Sequence, residues 1–366
     1  MVVIQGKAAG AVCFAREIPE SARRDIAALC EHPLLADRKI RIMPDVHSNG
    51  NGTVTGFTMR GGEPEIMALE YDAGCGVCCT RLDVRPEQVD FARLDAACHE
   101  IPAGKNQLIE PAYSYDFSSL YCRRGIAHLL EWPVCLGSLG GGNHFIELDR
   151  DSDGGVYLVV HNGLGVLSGA AVRFYRELAL RQTGKTAENA QMEDMLLYGS
   201  DREAYLHDMA VFVELCRVNR AYIADLITDR MGWTAADRFD VCHHFSDERD
   251  GMIRHGAISA HKGERVIIPV NAMEGCILGT GKGNPDWNCS APHGGGRLLS
   301  RKAAKQALSM ERYRDAMKDV YSTTVCPGNL DEAPAAYRGI SEIAEAIRET
   351  VDVERFLRPM YNYKGT

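Results

Sequence analysis

The sequence lacks any apolar run long enough to cross a bilayer. Its longest runs, such as Val156-Tyr157-Leu158-Val159-Val160, are of strand length, whereas a spanning helix needs about 20 apolar residues. No membrane partner is expected. An export signal is also missing. The opening MVVIQGKAAGAVCF has one lysine and a short apolar stretch broken by glycines, too short and interrupted for a secretory signal. A cytoplasmic location is therefore expected. There is no internal repeat, low-complexity tract or Pro- or Ser-rich linker, which predicts a single domain over residues 1–366. Nor is there an excess of positive charge. Lys and Arg number 41 against 50 Asp and Glu, a formal net charge of -9. That disfavours a charge-driven grip on nucleic acid by the surface as a whole, so any RNA contact must be a local basic groove.

What the chain does have begins with a soluble composition, 45% hydrophobic and 25% charged over 366 residues, enough for a sizeable core. Thirteen cysteines, odd in number and scattered, argue against a disulfide framework in a chain without an export signal. Most are expected to be buried small apolar residues. Cys75-Gly76-Val77-Cys78 has the spacing of a redox pair or of half a zinc site, but no second such pair follows at a zinc-finger distance.

Helical periodicity appears over 19–36, 86–100, 118–131, 167–182, 200–231, 300–318 and 340–356. Between these lie short Val- and Ile-rich runs, read as buried strands, over 39–43, 66–69, 156–160, 239–242 and 266–270. Several runs lead directly into loops where Gly accompanies Asp, His, Asn or Cys. These are Met43-Pro44-Asp45-Val46-His47, Tyr71-Asp72-Ala73-Gly74-Cys75-Gly76, Gly142-Asn143-His144-Phe145, His161-Asn162-Gly163 and Cys242-His243-His244. A sixth is Cys289 to Arg297. Strand ends place polar groups accurately, and glycines let backbone approach a ligand. Six such loops point to one site assembled from distant segments.

Asp72 and Cys75 stand three apart in a tight Gly turn and can reach one ion. A carboxylate, a thiolate and several imidazoles suit Mn, Fe or Zn better than Ca or Mg. His144, His161 and either His243 or His244 could complete one or two ions. A lone strand-end histidine is ordinarily a hydrogen-bonded core residue, so the signal lies in their number. In the segment 289–305, His293 precedes three glycines, Arg297 and a helical pattern. A Gly-rich turn entering a helix offers N–H groups to an anion. Arg297, Arg301 and Lys305 recur every four residues, which predicts one basic helix face. An imidazole at that edge can attack phosphorus to give a phosphoramidate, with a divalent ion neutralising the phosphate oxygens.

Together with Leu139 to Glu147, His255 to Ser259, Ile267-Ile268-Pro269, Leu357-Arg358-Pro359 and Lys364-Gly365, these segments resemble the RtcB family of RNA ligases in identity and order. The resemblance implies an α+β fold with central β-sheets flanked by helices. It implies ligation of a 2',3'-cyclic phosphate or 3'-phosphate RNA end to a 5'-hydroxyl end, using GTP and two Mn²⁺ ions. By the same resemblance Asp72, Cys75, His144, His161 and His244 would bind the metals, with Cys75 able to bridge. His293 would carry a covalent guanylate. Asn143, Phe145, Glu147, Asn271, Gly295, Gly296 and Lys364 would contact the nucleotide, Glu147 and Lys364 at the base. Arg297 and Arg301 would hold phosphate or RNA.

The chain departs from the family pattern at three places. Asn162-Gly163-Leu164-Gly165 follows His161 where the family has Ser-Gly-Ser-Arg-Gly. Val270-Asn271-Ala272-Met273 replaces Gly-Ser-Met-Gly, and Phe245 follows His243-His244 in place of Asn. These features and the short length resemble the branch coupled to release factor H, which implies a functional link to a peptide-chain release factor. Two rival readings are a metal-dependent phosphodiesterase that opens cyclic phosphate ends without ligating, and a non-catalytic RNA-binding member. A GTP requirement separates ligase from hydrolase.

Overall fold

The computed structural model describes residues 1–70, 73–102, 116–127, 137–247 and 249–365. Two large sheets organise it. The first has six strands: β1 (Val2–Gln5), β2 (Gly10–Cys13), β3 (Ile40–Ser48), β4 (Val54–Arg60), β12 (Met252–His255) and β11 (His244–Asp247), in that order. The second has seven: β10 (Ala235–Cys242), β6 (Gly76–Leu82), β8 (Val156–Asn162), β7 (Phe145–Arg150), β17 (Val351–Lys364), β15 (Gly275–Gly281) and β14 (Arg265–Asn271). Two-stranded pairs join β13 (Ala257–Ser259) to β16 (Ser290–Pro292), and β5 (Glu65–Ile66) to β9 (Leu196–Leu197). The large sheets are antiparallel apart from the β2–β3 pair, and helices lie against them, as expected of an α+β fold.

The seven-stranded sheet forms the centre because both its faces are covered. Every residue of β8 is buried. Strand alternation sends Tyr157 and Val159 to one face, packed with Val77, Ile267 and Ile277 under α7 (Ile340–Ala346). Val156, Leu158 and Val160 point the other way, against Ile223, Ala224 and Ile227 of the 33-residue helix α4 (Gly199–Met231) and Leu94 of α2 (Phe91–His99). Each such aliphatic side chain contributes about 1.5–3 kcal/mol by leaving water. Helices α1 (Glu20–Glu31) and α3 (Gly165–Thr183) cover the six-stranded sheet and α4 respectively. None of the described helices is long and apolar enough to cross a membrane.

Several expected boundaries move for local reasons. The helix expected over 340–356 stops at Ala346, and residues 351–364 form β17, where Val351, Val353 and Phe356 pair with β15. The helix expected over 300–318 is two, α5 (Arg301–Ala307) and α6 (Met310–Ala316). Leu308 is extended between them, and Ser309 caps the second by accepting from the Arg312 N–H. The first expected helix ends before Pro33, which opens a short 3₁₀ turn. Residues 86–88 are likewise 3₁₀, with α2 starting after Asp90. Over 118–131 the described part holds a 3₁₀ turn at Tyr121–Arg124 and a helical Ala127; residues 128–131 lie outside the described residues. The strand expected over 66–69 is reduced to Glu65–Ile66.

Candidate active site

A cavity of about 830 Å³ is lined by residues of both large sheets, among them His47 and Thr55 of the first and Phe145, Glu147 and His161 of the second. His243, His293, Glu332 and Lys364 also face it. Five of the six segments expected from the sequence to share one site contribute residues to its lining; from the sixth, Cys75 lies against His161 beneath it.

At its floor, Cys75 Sγ lies 3.3 Å from His161 Nε2 and 3.6 Å from His144 Nε2. Both imidazoles are aimed by the opposite nitrogen. His161 Nδ1 donates to the Asn143 carbonyl at 3.2 Å and His144 Nδ1 to the Leu139 carbonyl at 2.8 Å. Each bond fixes the tautomer and leaves the Nε2 lone pair facing the thiol, the arrangement by which proteins orient metal-binding histidines. Cys75, His161 and His243 offer ligand atoms all within 4.8 Å of one another. Burial, reinforced by neighbouring imidazoles, holds His161 and His243 well below the usual histidine range, so both rings are neutral donors. This donor set fits a transition metal. Of the two adjacent histidines left open by the sequence, His243 joins the triad. His244, favoured by the resemblance, begins edge strand β11, pairs with His255 across the strands and lines the same cavity. Asp72 lies outside the described residues.

A buried arginine holds this floor together. Arg220 of α4 donates to the Gly74 carbonyl at 2.7 Å and the Asn162 carbonyl at 2.8 Å, and grips Asp240 through two 2.6 Å bonds. It thereby ties the turn before Cys75 to the strand end after His161. Asn162 itself is buried, donating to the Ser138 and Leu139 carbonyls and accepting from Asn219. Leu164 enters the helical core and Gly165 opens α3. At the position of the family pattern's arginine this chain thus has Gly165, the first residue of α3.

His293 follows β16, its ring 4.8 Å from that of His243. Asp45 Oδ2 accepts from His293 Nδ1 at 2.6 Å and from its backbone N–H at 3.1 Å. Asp45 is fully buried. The bond places the ring proton on Nδ1 and leaves the lone pair on Nε2. The following glycines serve close packing. A Cβ at Gly296 would come within 2.3 Å of the Asp45 carbonyl, and one at Gly295 within 2.4 Å of the Val270 carbonyl. The Gly295 N–H is already bonded to the Pro269 carbonyl.

The basic helix face expected here is corrected by the structure. Arg297 precedes α5, and the helix start is capped by Ser300 accepting from the Ala303 N–H. Arg297 Nη1 donates to Glu332 at 3.1 Å and to the Tyr337 hydroxyl at 2.7 Å. Arg301 pairs with Asp331 and Glu332, and Lys305 with Asp331. The two acids between α6 and α7 thus partner all three basic groups of the stripe. Arg297 and Arg301 still line the cavity.

At the far end, Lys364 Nζ is 2.8 Å from Glu332 and 5.7 Å from the centre of the Phe145 ring. Glu147 faces the same space and accepts from Asn362 Nδ2 at 2.7 Å. Asn143 lines the cavity beside it. Asn271 lines it too, but its side chain closes its own turn, accepting from the Met273 and Glu274 N–H groups.

Asp45, Glu332 and Arg220 carry roles that no sequence signal assigned. Asp45 stood inside a noted segment, yet its partner is 248 residues away. Glu332 and Arg220 sit in a 3₁₀ turn and a helix without glycine-rich loops to flag them.

Residues 127–365 match the family described as tRNA-splicing ligase RtcB. The RNA-splicing ligase RtcB of Escherichia coli (strain K12) is 26% identical over 389 residues, covering 95% of each chain. The tRNA-splicing ligase RtcB of Aeropyrum pernix is 23% identical over 426 residues, covering 88% of this chain and 87% of its own. With a match across the larger part of its length, this chain belongs to the RtcB family.

Proposed function

We propose that this chain is an RNA ligase that uses GTP and Mn²⁺ to join a 3'-phosphate or 2',3'-cyclic phosphate RNA end to a 5'-hydroxyl end. The observation that carries the reading is His293, oriented by Asp45, on the wall of a cavity floored by His161 and His243. Nε2 attacks the α-phosphorus of GTP; an N–P bond forms and pyrophosphate leaves. An oxygen of the RNA 3'-phosphate then takes the guanylate from His293, breaking the N–P bond. The 5'-hydroxyl attacks the activated 3'-phosphorus, and GMP leaves. Cys75, His144, His161 and His243, with Asp72, would hold the two metal ions, which when bound neutralise charge on the phosphate oxygens. Lys364, Phe145 and Glu147 would take the base, with Asn143, Asn271, Gly295 and Gly296 along the nucleotide. Arg297 and Arg301 would meet phosphate once their contacts to Asp331 and Glu332 are shared. The branch resemblance extends the proposal to repair of RNA in the cytoplasm, coupled to a peptide-chain release factor.

The test is covalent labelling. The protein is incubated with Mn²⁺ and GTP labelled at the α-phosphate, denatured and examined beside His293→Ala. Label on the wild type alone supports the ligase. A folded, metal-loaded protein that takes no label but opens cyclic phosphate ends would be a phosphodiesterase instead.

A further inference from the structure

Glu147 has a neighbour that the ligase chemistry does not use. Asp149 lies two residues along β7, on the same face of the sheet, and is fully buried. Among the described residues no N–H or hydroxyl donor reaches its two oxygens, and only the weak S–H donor of Cys276 stands beside them. The carboxyl oxygens of Glu147 and Asp149 and the Cys276 thiol lie within 4.8 Å of one another. Two buried carboxylates cannot both stay ionised at such a separation. Among the described residues, the other charged or titratable groups near the pair are Lys364 on β17, Cys276 on β15 and Cys79 on β6. Lys364 is itself engaged by Glu332. One cation therefore does not offset two anions, and a proton must be held between them.

We propose that Asp149 is a positioning residue for base recognition: it keeps the shared proton and donates it to Glu147, which then presents an acceptor oxygen to the cavity. An ionised carboxylate has about four lone-pair sites. Asn362 occupies one, Asp149 a second and Cys276 a weak third at 3.8 Å. A site remains for an N–H donor of a purine base, of the kind guanine has and adenine lacks at its ring nitrogen. The direction of the titrations agrees. Burial raises Glu147 to about 7 against the lowering by Asn362, Asp149 and Lys364. Asp149 is raised well above the usual carboxylate range by burial and by Glu147. The second proton leaves first, from Glu147, and base preference then appears as pH rises through about 7.

This inference rests on the nucleotide reading of the cavity given above. The experiment measures binding of GTP and of ATP against pH for the wild type, Asp149→Asn and Asp149→Leu. The Asn amide still donates to Glu147, so its midpoint stays within half a unit of the wild type's. Leucine removes the donor. The midpoint moves up by about one unit and guanine preference at pH 7 falls about five-fold. An unchanged midpoint in both variants overturns the inference while leaving the nucleotide reading intact. If the wild type binds no guanine nucleotide at any pH, the reading of the cavity fails, and this role with it. Should the leucine variant not fold, infrared spectroscopy decides. The wild type minus Asp149→Asn difference at pH 7 must contain the C=O stretch of a protonated carboxylic acid, and its absence overturns the proposal.

Discussion

Replacing Asp45 by Asn tests the nucleophile most directly. The change keeps the shape and removes the charge that faces His293 Nδ1 at 2.6 Å. When Nε2 bonds to phosphorus, the ring becomes positively charged with its proton still on Nδ1. The charge centres are then about 4 Å apart, and at an effective dielectric constant of about 20 the attraction is about 4 kcal/mol. Losing it slows guanylylation by about 10³-fold. If the amide turns its NH₂ toward Nδ1, the proton moves to Nε2 and the loss is larger. Asp45→Ala also strips the His293 N–H of its acceptor, adding about 1–3 kcal/mol of instability. The assay is single-turnover labelling with saturating GTP and Mn²⁺, run beside thermal melting to separate chemistry from folding. Folded Asp45→Asn labelled within three-fold of the wild-type rate would refute the orienting role.

The two adjacent histidines give the next test. His243→Ala is expected to lower metal affinity by more than 100-fold, measured by competition with a chromogenic chelator, and His244→Ala by much less, because only His243 lies with Cys75 and His161. The reverse order would restore the ligand first expected from the resemblance. Lys364→Ala should weaken GTP binding and relax the preference over ATP in a competition assay, and an unchanged preference would remove Lys364 from the base site. Acid stability reports on Glu332. Burial would raise its carboxyl, but Lys364 and Arg301 outweigh that and bring it to about 2. A depressed acid stabilises fully above its unfolded value of about 4.5 and ceases to do so as pH falls toward about 2. Glu332→Gln should therefore lose on the order of 3 kcal/mol in denaturant titrations at pH 7, with the gap to wild type closing in that acidic window; a gap independent of pH would contradict the ion-pair account.

Much of the site was legible because glycine marks where backbone must approach something. Cys75, His144, His161 and His293 all sit beside glycines at strand ends, and all face one cavity or its floor. What stayed hidden was set by long-range pairing. The residues of β17 from Val351 to Phe356 fit a helical period as well as a strand, and pairing with β15 decides between them. The four-residue spacing of Arg297, Arg301 and Lys305 suggested a shared helix face, but Ser300 caps the helix after Arg297. Local spacing also could not reveal Asp331 and Glu332, some 30 residues on, which take up that charge.

Those internal pairings bear on how so acidic a chain can meet RNA. Arg220 and Arg254 are fully buried, and Arg338 nearly so, each tied to carboxylates or backbone carbonyls. Burying a guanidinium is costly unless its donors are satisfied. Arg220 meets that condition by bonding the Gly74 and Asn162 carbonyls, so its cost is offset by fixing the two loops that bring Cys75 and His161 together. Positive charge in this fold thus goes first to building the floor of the site. Among the described residues, the cations lining the cavity are Arg297, Arg301 and Lys364, all held by Glu332, at 3.1, 2.5 and 2.8 Å. A phosphate arriving there has to compete with that carboxylate, which disfavours non-specific polyanions across the surface and leaves affinity to a phosphate that the nucleophile and the metal donors can engage at the same time.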